Sequence, residues 1–275
     1  MTKVKAKTED LYTSITSDPI FTPSLKSQIQ SVQKHQDLTE KFVKKVINGV
    51  HKNAILQGPP GLGKSFSVQT ALMTAGLIDG TDYRIVKGHI TPLQLYAALY
   101  MYRRPGQILV LDDCDDVFGS ELGIGLVKSA TDPDNRTISF DSTRVPVING
   151  TEVREFVFNG TLIVCSNVAL SSGRQSRRNQ HMAAILSRTT TWPLGWNTRE
   201  LKFAQVFNMV VNNDYLSNSA RTKISDSQKA ELLTFLLENL NDVANLDLRL
   251  PQKIAAEMVA DPVHWKESCV PFLKV

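Results

Sequence analysis

Five short apolar runs mark the first two thirds of the chain, at 54–56, 83–86, 108–111, 161–165 and 189–192. Several are apolar without alternation, as strands covered on both faces of a sheet should be. Between them lie segments of helical spacing at 65–75, 92–101, 120–130 and 181–187. Strand alternating with helix predicts an α/β fold built on a doubly wound, mainly parallel five-stranded sheet. From about residue 198 the pattern changes to helices alone, clearest at 200–211, 226–243 and 248–259, the second opened by a capping box, Ser225 with Gln228. Residues 1–33 are polar with turn signals at Asp18-Pro19 and Thr22-Pro23, which predicts a loosely structured arm ahead of a helix over about 38–50. The chain thus divides into an arm at 1–34, an α/β core at 35–200 and a small all-helical domain at 201–275.

Composition narrows this modestly. The chain has 275 residues, 42% of them hydrophobic, enough for a proper interior. Its three cysteines, Cys114, Cys165 and Cys269, are far apart and lack Cys/His pair spacing, which argues against disulfides and structural zinc. The N-terminus is charged, and no run of about 18 apolar residues occurs, so a soluble, cytoplasmic protein without a membrane span is expected. A formal charge of +4 permits a nucleic-acid partner without requiring one.

The strongest local pattern is Gly58-Pro59-Pro60-Gly61-Leu62-Gly63-Lys64-Ser65, which spells G-x-x-x-x-G-K-S between an apolar run and a helical segment. Glycines there let backbone N–H groups wrap phosphates, and the helix N-terminus favours negative charge. Lys64 is placed to reach the β- and γ-phosphates and Ser65 to bind Mg²⁺, with Gly58 through Phe66 as the nucleotide-binding set. A second element lies 48 residues after Lys64, where an apolar strand ends in Asp112 and Asp113. Asp112 suits the metal and Asp113 the attacking water. Asp116 to Gly119 also spells D-x-x-G, but no N-K-x-D guanine reader accompanies it, so adenine is the better base.

With Gly-Pro-Pro-Gly-x-Gly-Lys-Ser as its phosphate loop, the chain resembles the AAA+ ATPase superfamily over roughly residues 35–260. The resemblance implies a P-loop NTPase fold with a helical lid, ATP and Mg²⁺ as cofactors, and a homo-oligomer, hexameric by analogy. It also implies three further roles. Asn167, ending the run 162–166, matches the sensor 1 position; Arg188, after 184–187, looks like an arginine finger acting on a neighbouring subunit; and Arg249, in the first turn of a helix with Asp247 as its N-cap, resembles the sensor 2 arginine. Arg174, Arg177 and Arg178 are rival finger candidates. The family commonly has Glu where this chain has Asp113, and an Asp-Asp pair resembles the viral superfamily 3 helicases.

Two β-rich runs flank Asn149-Gly150, a strong hairpin signal. A hairpin just before sensor 1 resembles the pre-sensor-1 hairpin of AAA+ DNA motors, which implies that Arg144 and Arg154, with Lys128 and Arg136 nearby, reach DNA phosphates. The acid-free cluster of Arg174, Arg177 and Arg178 is a second phosphate-backbone candidate. The stretch from Lys87 to Tyr96 also looks like that of bacteriophage AAA-type ATPases, implying phage DNA replication, recombination or assembly. The lead expectation is an oligomeric, Mg²⁺-dependent DNA motor, helicase or loader. The alternative is an ATPase that remodels a protein complex through aromatic residues after the second strand, Tyr96, Tyr100 and Tyr102, although tyrosines at helical spacing are more often core packing.

Overall fold

The computed structural model describes residues 2–140, 146–168, 170, 177–213, 215–218 and 222–274. Packing divides the chain into two compact units, one of residues 39–194 and one combining 1–38 with 195–275. The sequence reading instead cut the chain at 35 and 200 and set the first 34 residues apart.

The first unit carries the strands β1 (Asn53–Gln57), β2 (Tyr83–Lys87), β3 (Ile108–Asp112), β4 (Thr137–Ser139), β5 (Val147–Ile148), β6 (Thr151–Glu152), β7 (Glu155–Val157), β8 (Thr161–Ser166) and β9 (Thr190–Pro193). Five of them form a wholly parallel sheet in the order β2-β3-β8-β1-β9. β3 and β8 are buried at every position, which is why their sequences are apolar on both faces. The connecting helices are α3 (Lys64–Thr74), α4 (Pro92–Met101), α5 (Glu121–Ala130) and α6 (Arg177–Arg188). α4 starts at a capping box formed by Thr91 and Gln94, and Ser120 caps α5 by accepting the Gly123 N–H.

The expected hairpin is present. β5 and β6 pair across Asn149 and Gly150, whose φ of 50° and 79° are the two positive values that a type I′ turn requires. β4 and β7 form an antiparallel stem below it. Ile138, Phe156 and Phe158 of this stem are buried with Tyr96, whose ring lies 5.1 Å from that of Phe156 and whose hydroxyl donates to the Val153 carbonyl at 3.3 Å. Tyr102 is buried too, and Tyr100 packs edge-on against Phe156. The aromatic residues after β2 are therefore core. A correction concerns Arg136, expected near the DNA phosphates. Its guanidinium is buried, donates to the Ala130 carbonyl at 2.7 Å and to Asn53 Oδ1 at 3.0 Å, and sits over the Phe158 ring, out of reach of any phosphate backbone.

The second unit is helical, and the expectation of a loose arm at 1–33 is overturned. Residues there form α1 (Thr2–Thr16) and the start of α2 (Pro23–Ile47). Leu25, Ile29 and Val32 recur at helical spacing and are buried, and Phe21 packs against Phe203 and Phe207. The remaining helices are α7 (Arg199–Val211), α8 (Asp226–Glu238), α9 (Arg249–Ala260) and α10 (Trp265–Leu273). The capping box of Ser225 and Gln228 opens α8, which stops at Glu238 short of the expected 243. α9 opens one residue later than read: Leu248 occupies the N-cap position, while the Asp247 carboxylate accepts the Arg249 N–H at 2.8 Å. Among the described residues, no helix is long and apolar enough to cross a membrane.

Candidate functional site

The sheet order decides where chemistry can occur. Because β8 lies between β1 and β3, three carboxyl ends stand side by side, the edge at which open parallel sheets bind ligands. β1 ends in the phosphate loop, β3 in the acidic pair and β8 in Ser166 and Asn167.

Gly58 leaves β1 with its N–H donating to the Ser166 carbonyl at 3.1 Å. A Cβ at this position would lie 1.9 Å from the Leu194 carbonyl oxygen, so glycine is required by packing as well as by the loop's curvature. Gly61 and Gly63 take left-handed φ of 75° and 80°, and Gly63 is the N-cap of α3. The turn brings Lys64 back across the loop. Its ammonium donates to the carbonyls of Gly58 at 2.7 Å and Pro59 at 2.9 Å, and to Asn167 Oδ1 at 2.8 Å. Burial lowers the Lys64 pKa, opposed by the surrounding Cys165 and by Asp113, Asp112 and Asp115.

Asn167 bridges cation and acid. Its Oδ1 accepts from Lys64 while its Nδ2 donates to Asp113 Oδ1 at 2.6 Å. Asp113 has a φ of 56°, uncommon outside glycine, and its N–H donates to the Cys165 carbonyl at 3.0 Å. Such a conformation costs on the order of 1–3 kcal/mol and persists where surrounding contacts impose it. Here it turns the chain out of β3 with two consecutive carboxylates beside the loop. Asp112 is buried and accepts from Ser65 Oγ at 2.5 Å, with Lys87 Nζ 3.9 Å from its other oxygen. Burial raises its pKa above the ordinary carboxylate value, and the Ser65 bond partly counters this.

These residues fit a magnesium–nucleotide pair. Ser65 and Asp112 present two adjacent hard oxygens. Among the described residues, no group of three or more His, Cys, Asp or Glu side chains is arranged to hold a metal. The Ser65 and Asp112 oxygens suit an ion that takes one or two protein oxygens and completes its shell with phosphates and water.

Arg188, at the end of α6, pairs with Asp132 at 3.0 Å and donates to the Lys128 carbonyl at 3.4 Å. Arg249 is exposed at the start of α9 in the helical unit, and Arg154 is exposed on the hairpin. Arg144 and Arg174 lie outside the described residues, as do the side chains of Arg177 and Arg178, which begin α6. Two residues escaped sequence reasoning. Asp115, which follows the acidic pair, accepts from Ser166 Oγ at 2.6 Å and from the Asn167 N–H at 3.3 Å. Ser166 itself is fully buried. The signal was there in the Asp-Asp-x-Asp spacing, which reads equally well as a solvated acidic turn. The Asp116 of the D-x-x-G string faces His89 instead, 2.8 Å away and exposed.

A five-stranded parallel sheet, with a glycine-rich loop and a lysine at the carboxyl end of one inner strand and a buried carboxylate at the end of another, is an α/β architecture of the nucleotide-binding kind. No family model matches the chain. It is 27% identical over 225 residues to an uncharacterized 36.7 kDa protein encoded in the nrdC-mobD intergenic region of Enterobacteria phage T4, a match covering 81% of this chain and 68% of the relative. Among solved structures it is similar to PCH-2 of C. elegans at 13% identity with a TM-score of 0.37, over 94% of this chain and 70% of that one. A likeness so remote carries no function with it.

Proposed function

We propose that the chain is a Mg²⁺-dependent ATPase of the AAA+ kind. The observation that carries this reading is the convergence at three adjacent strand ends of two hydrogen-bonded sets, Lys64–Asn167–Asp113 and Ser65–Asp112. The loop N–H groups and Lys64 bind the β- and γ-phosphates, and Ser65 and Asp112 hold the metal, which when bound neutralises charge on the phosphates. Asp113 accepts the proton of a water aligned with the γ-phosphate. Asn167, held between Lys64 and Asp113, orients that water or contacts the γ-phosphate itself. Arg249 serves as the sensor 2 arginine, and Arg188 completes a neighbour's site within a homo-oligomer, for which its bond to Asp132 must open.

DNA is the substrate class to which the exposed Arg154 on the hairpin and the basic start of α6 point. The phage T4 relative, itself uncharacterized, supports a phage setting and does not choose among replication, recombination and assembly. Burial of Tyr96 and Tyr102, with Tyr100 half-buried against Phe156, weakens the protein-remodelling alternative.

The test is steady-state phosphate release with Mg²⁺-ATP, with and without single- or double-stranded DNA, beside Lys64→Ala and Arg188→Ala. Turnover lost in Lys64→Ala supports the site; equal rates in the two proteins reject it. A rate indifferent to every DNA removes the DNA assignment alone. Activity recovered on mixing Lys64→Ala with Arg188→Ala protein supports a shared site, and none removes the finger.

A further inference from the structure

The turn after β3 does more than solvate an acidic string. Asp115 starts the 3-10 turn Asp115–Gly119 and reaches across to the end of β8. One carboxylate oxygen accepts from the Ser166 hydroxyl at 2.6 Å and the other accepts the backbone N–H of Asn167 at 3.3 Å. The same hydroxyl oxygen accepts the Val168 N–H at 3.1 Å, closing a tight turn around Asn167. Among the described residues, no other hydrogen bond to the Asn167 backbone fixes the direction in which its side chain leaves the strand. Its amide must nevertheless present Oδ1 to Lys64 and Nδ2 to Asp113 at once.

We propose that Asp115 is a positioning residue for Asn167, acting through Ser166 and the Asn167 backbone. It ties the strand that supplies the metal carboxylate to the strand that supplies the bridging amide, so that the two ends move as one piece. The inference rests on the ATPase reading above for its kinetic consequence and on hydrogen bonding alone for its structural one. Two acceptor oxygens are needed. In Asp115→Asn one oxygen becomes an NH₂ group, which cannot accept either donor, so a nearly isosteric change breaks the latch on one side. Displacement of a positioned group by about 1 Å costs up to roughly 100-fold in rate.

The experiment compares the full chain with Asp115→Asn, Asp115→Ala, Asn167→Ala and Asp115→Ala/Asn167→Ala. Readouts are kcat and KM for Mg²⁺-ATP, the affinity for a fluorescent ATP analogue, and the Asn167 side-chain amide signals in ¹⁵N-resolved NMR. The expected result is a fall in kcat of about 10- to 100-fold in both Asp115 variants, with analogue affinity within about twofold of wild type. The double variant should be no slower than Asn167→Ala alone, because a positioning residue has nothing left to position. The Asn167 amide signals should shift in Asp115→Asn. Wild-type kcat in the Asp115 variants, an undiminished effect of Asp115→Ala in the Asn167→Ala background, or unmoved amide signals would each overturn the proposal. If wild type and Lys64→Ala prove equally inactive, the ATPase reading fails, and the amide signals still decide whether Asp115 holds Asn167.

Discussion

Gly58→Ala tests whether the phosphate loop is set by packing against β9 as well as by its own turns. The added methyl carbon has no rotamer with which to escape, and it would sit 1.9 Å from the Leu194 carbonyl oxygen and 2.9 Å from its carbonyl carbon. Contacts under 3.0 Å are essentially unknown for Cβ atoms, so oxygen and methyl must separate by about 1.1 Å. Neither side is free to give. The Leu194 N–H donates to the Gln57 carbonyl at 2.7 Å, and the Gly58 N–H donates to Ser166 at 3.1 Å. Overpacking of a fixed backbone costs about 1–3 kcal/mol, and weakening of the two flanking bonds adds roughly 1 kcal/mol each. With about 2–4 °C lost per kcal/mol in a unit of this size, a total of about 3–5 kcal/mol should lower the melting temperature by about 6–20 °C. Circular dichroism and tryptophan fluorescence follow it, because Trp192 lies two residues from Leu194 and stacks on Phe42. Gly106→Ala is the control. It also has a left-handed φ, 84°, but meets open space, and should lose only about 1–2 kcal/mol. If Gly58→Ala melts with Gly106→Ala and keeps wild-type affinity for an ATP analogue, the packing account of Gly58 is wrong.

Arg136→Ala removes two charge-assisted hydrogen bonds and a ring contact, and should cost about 3 kcal/mol in urea unfolding, whereas Arg136→Met fills the space without a buried charge and should cost less than about 1.5 kcal/mol; equal losses would refute a buried structural role. Tyr96→Ala should lose about 3–5 kcal/mol and Tyr96→Phe, which forfeits only the bond to the Val153 carbonyl, about 1 kcal/mol; stability unchanged in Tyr96→Ala would return this residue to the surface and revive the protein-remodelling alternative. Burial pushes the Cys114 and Cys269 thiols up to about 11 from 9.0 and Cys165 higher still. At pH 8 a thiol of pKa 11 is roughly one part in a thousand thiolate, and its ionised fraction rises only as pH climbs toward that value. The native chain should therefore leave its three thiols unreacted toward a disulfide reagent at pH 8 and expose all three in denaturant; a rapidly titrating thiol in the native state would contradict this.

Where the sequence was legible, the signal was local. The phosphate loop, the type I′ turn at Asn149-Gly150 and the capping box at Ser225 each encode their geometry within a few residues. The N-terminal helices were misread for an equally local reason: Thr22-Pro23, taken as a turn, is a helix start. Thr22 Oγ1 accepts the Leu25 N–H at 3.2 Å, and Pro23 occupies the first helical position, where its missing N–H costs nothing. The three apolar residues that follow, Leu25, Ile29 and Val32, are diluted among Ser, Gln and Lys, so their helical spacing is weak in the sequence although all three are buried in the fold. α10 hid behind Pro271 inside it. The fate of Arg136 and Tyr96 depended on which residues lay opposite, and that is settled between segments far apart in the chain.

The site itself depends on a register that no strand could specify alone. The middle of β8, Leu162 to Cys165, is apolar on both faces, so slipping the strand by one residue against β1 or β3 would carry only one polar end residue inward and would incur less of the penalty that fixes half-buried strands. Such a slip would still put Ser166 where Asn167 belongs, out of reach of Lys64. The register must therefore be held at the polar end of the strand. Three contacts lie there: Gly58 N–H to the Ser166 carbonyl, Asp113 N–H to the Cys165 carbonyl, and Ser166 Oγ to Asp115. Each joins β8 to a segment that carries a functional group, the loop, the second carboxylate or the latch. The contacts that align the strands are thus the same ones that assemble the site, and a substitution that loosens the Asp115 turn should disturb alignment at the strand end before it disturbs the apolar interior of the sheet.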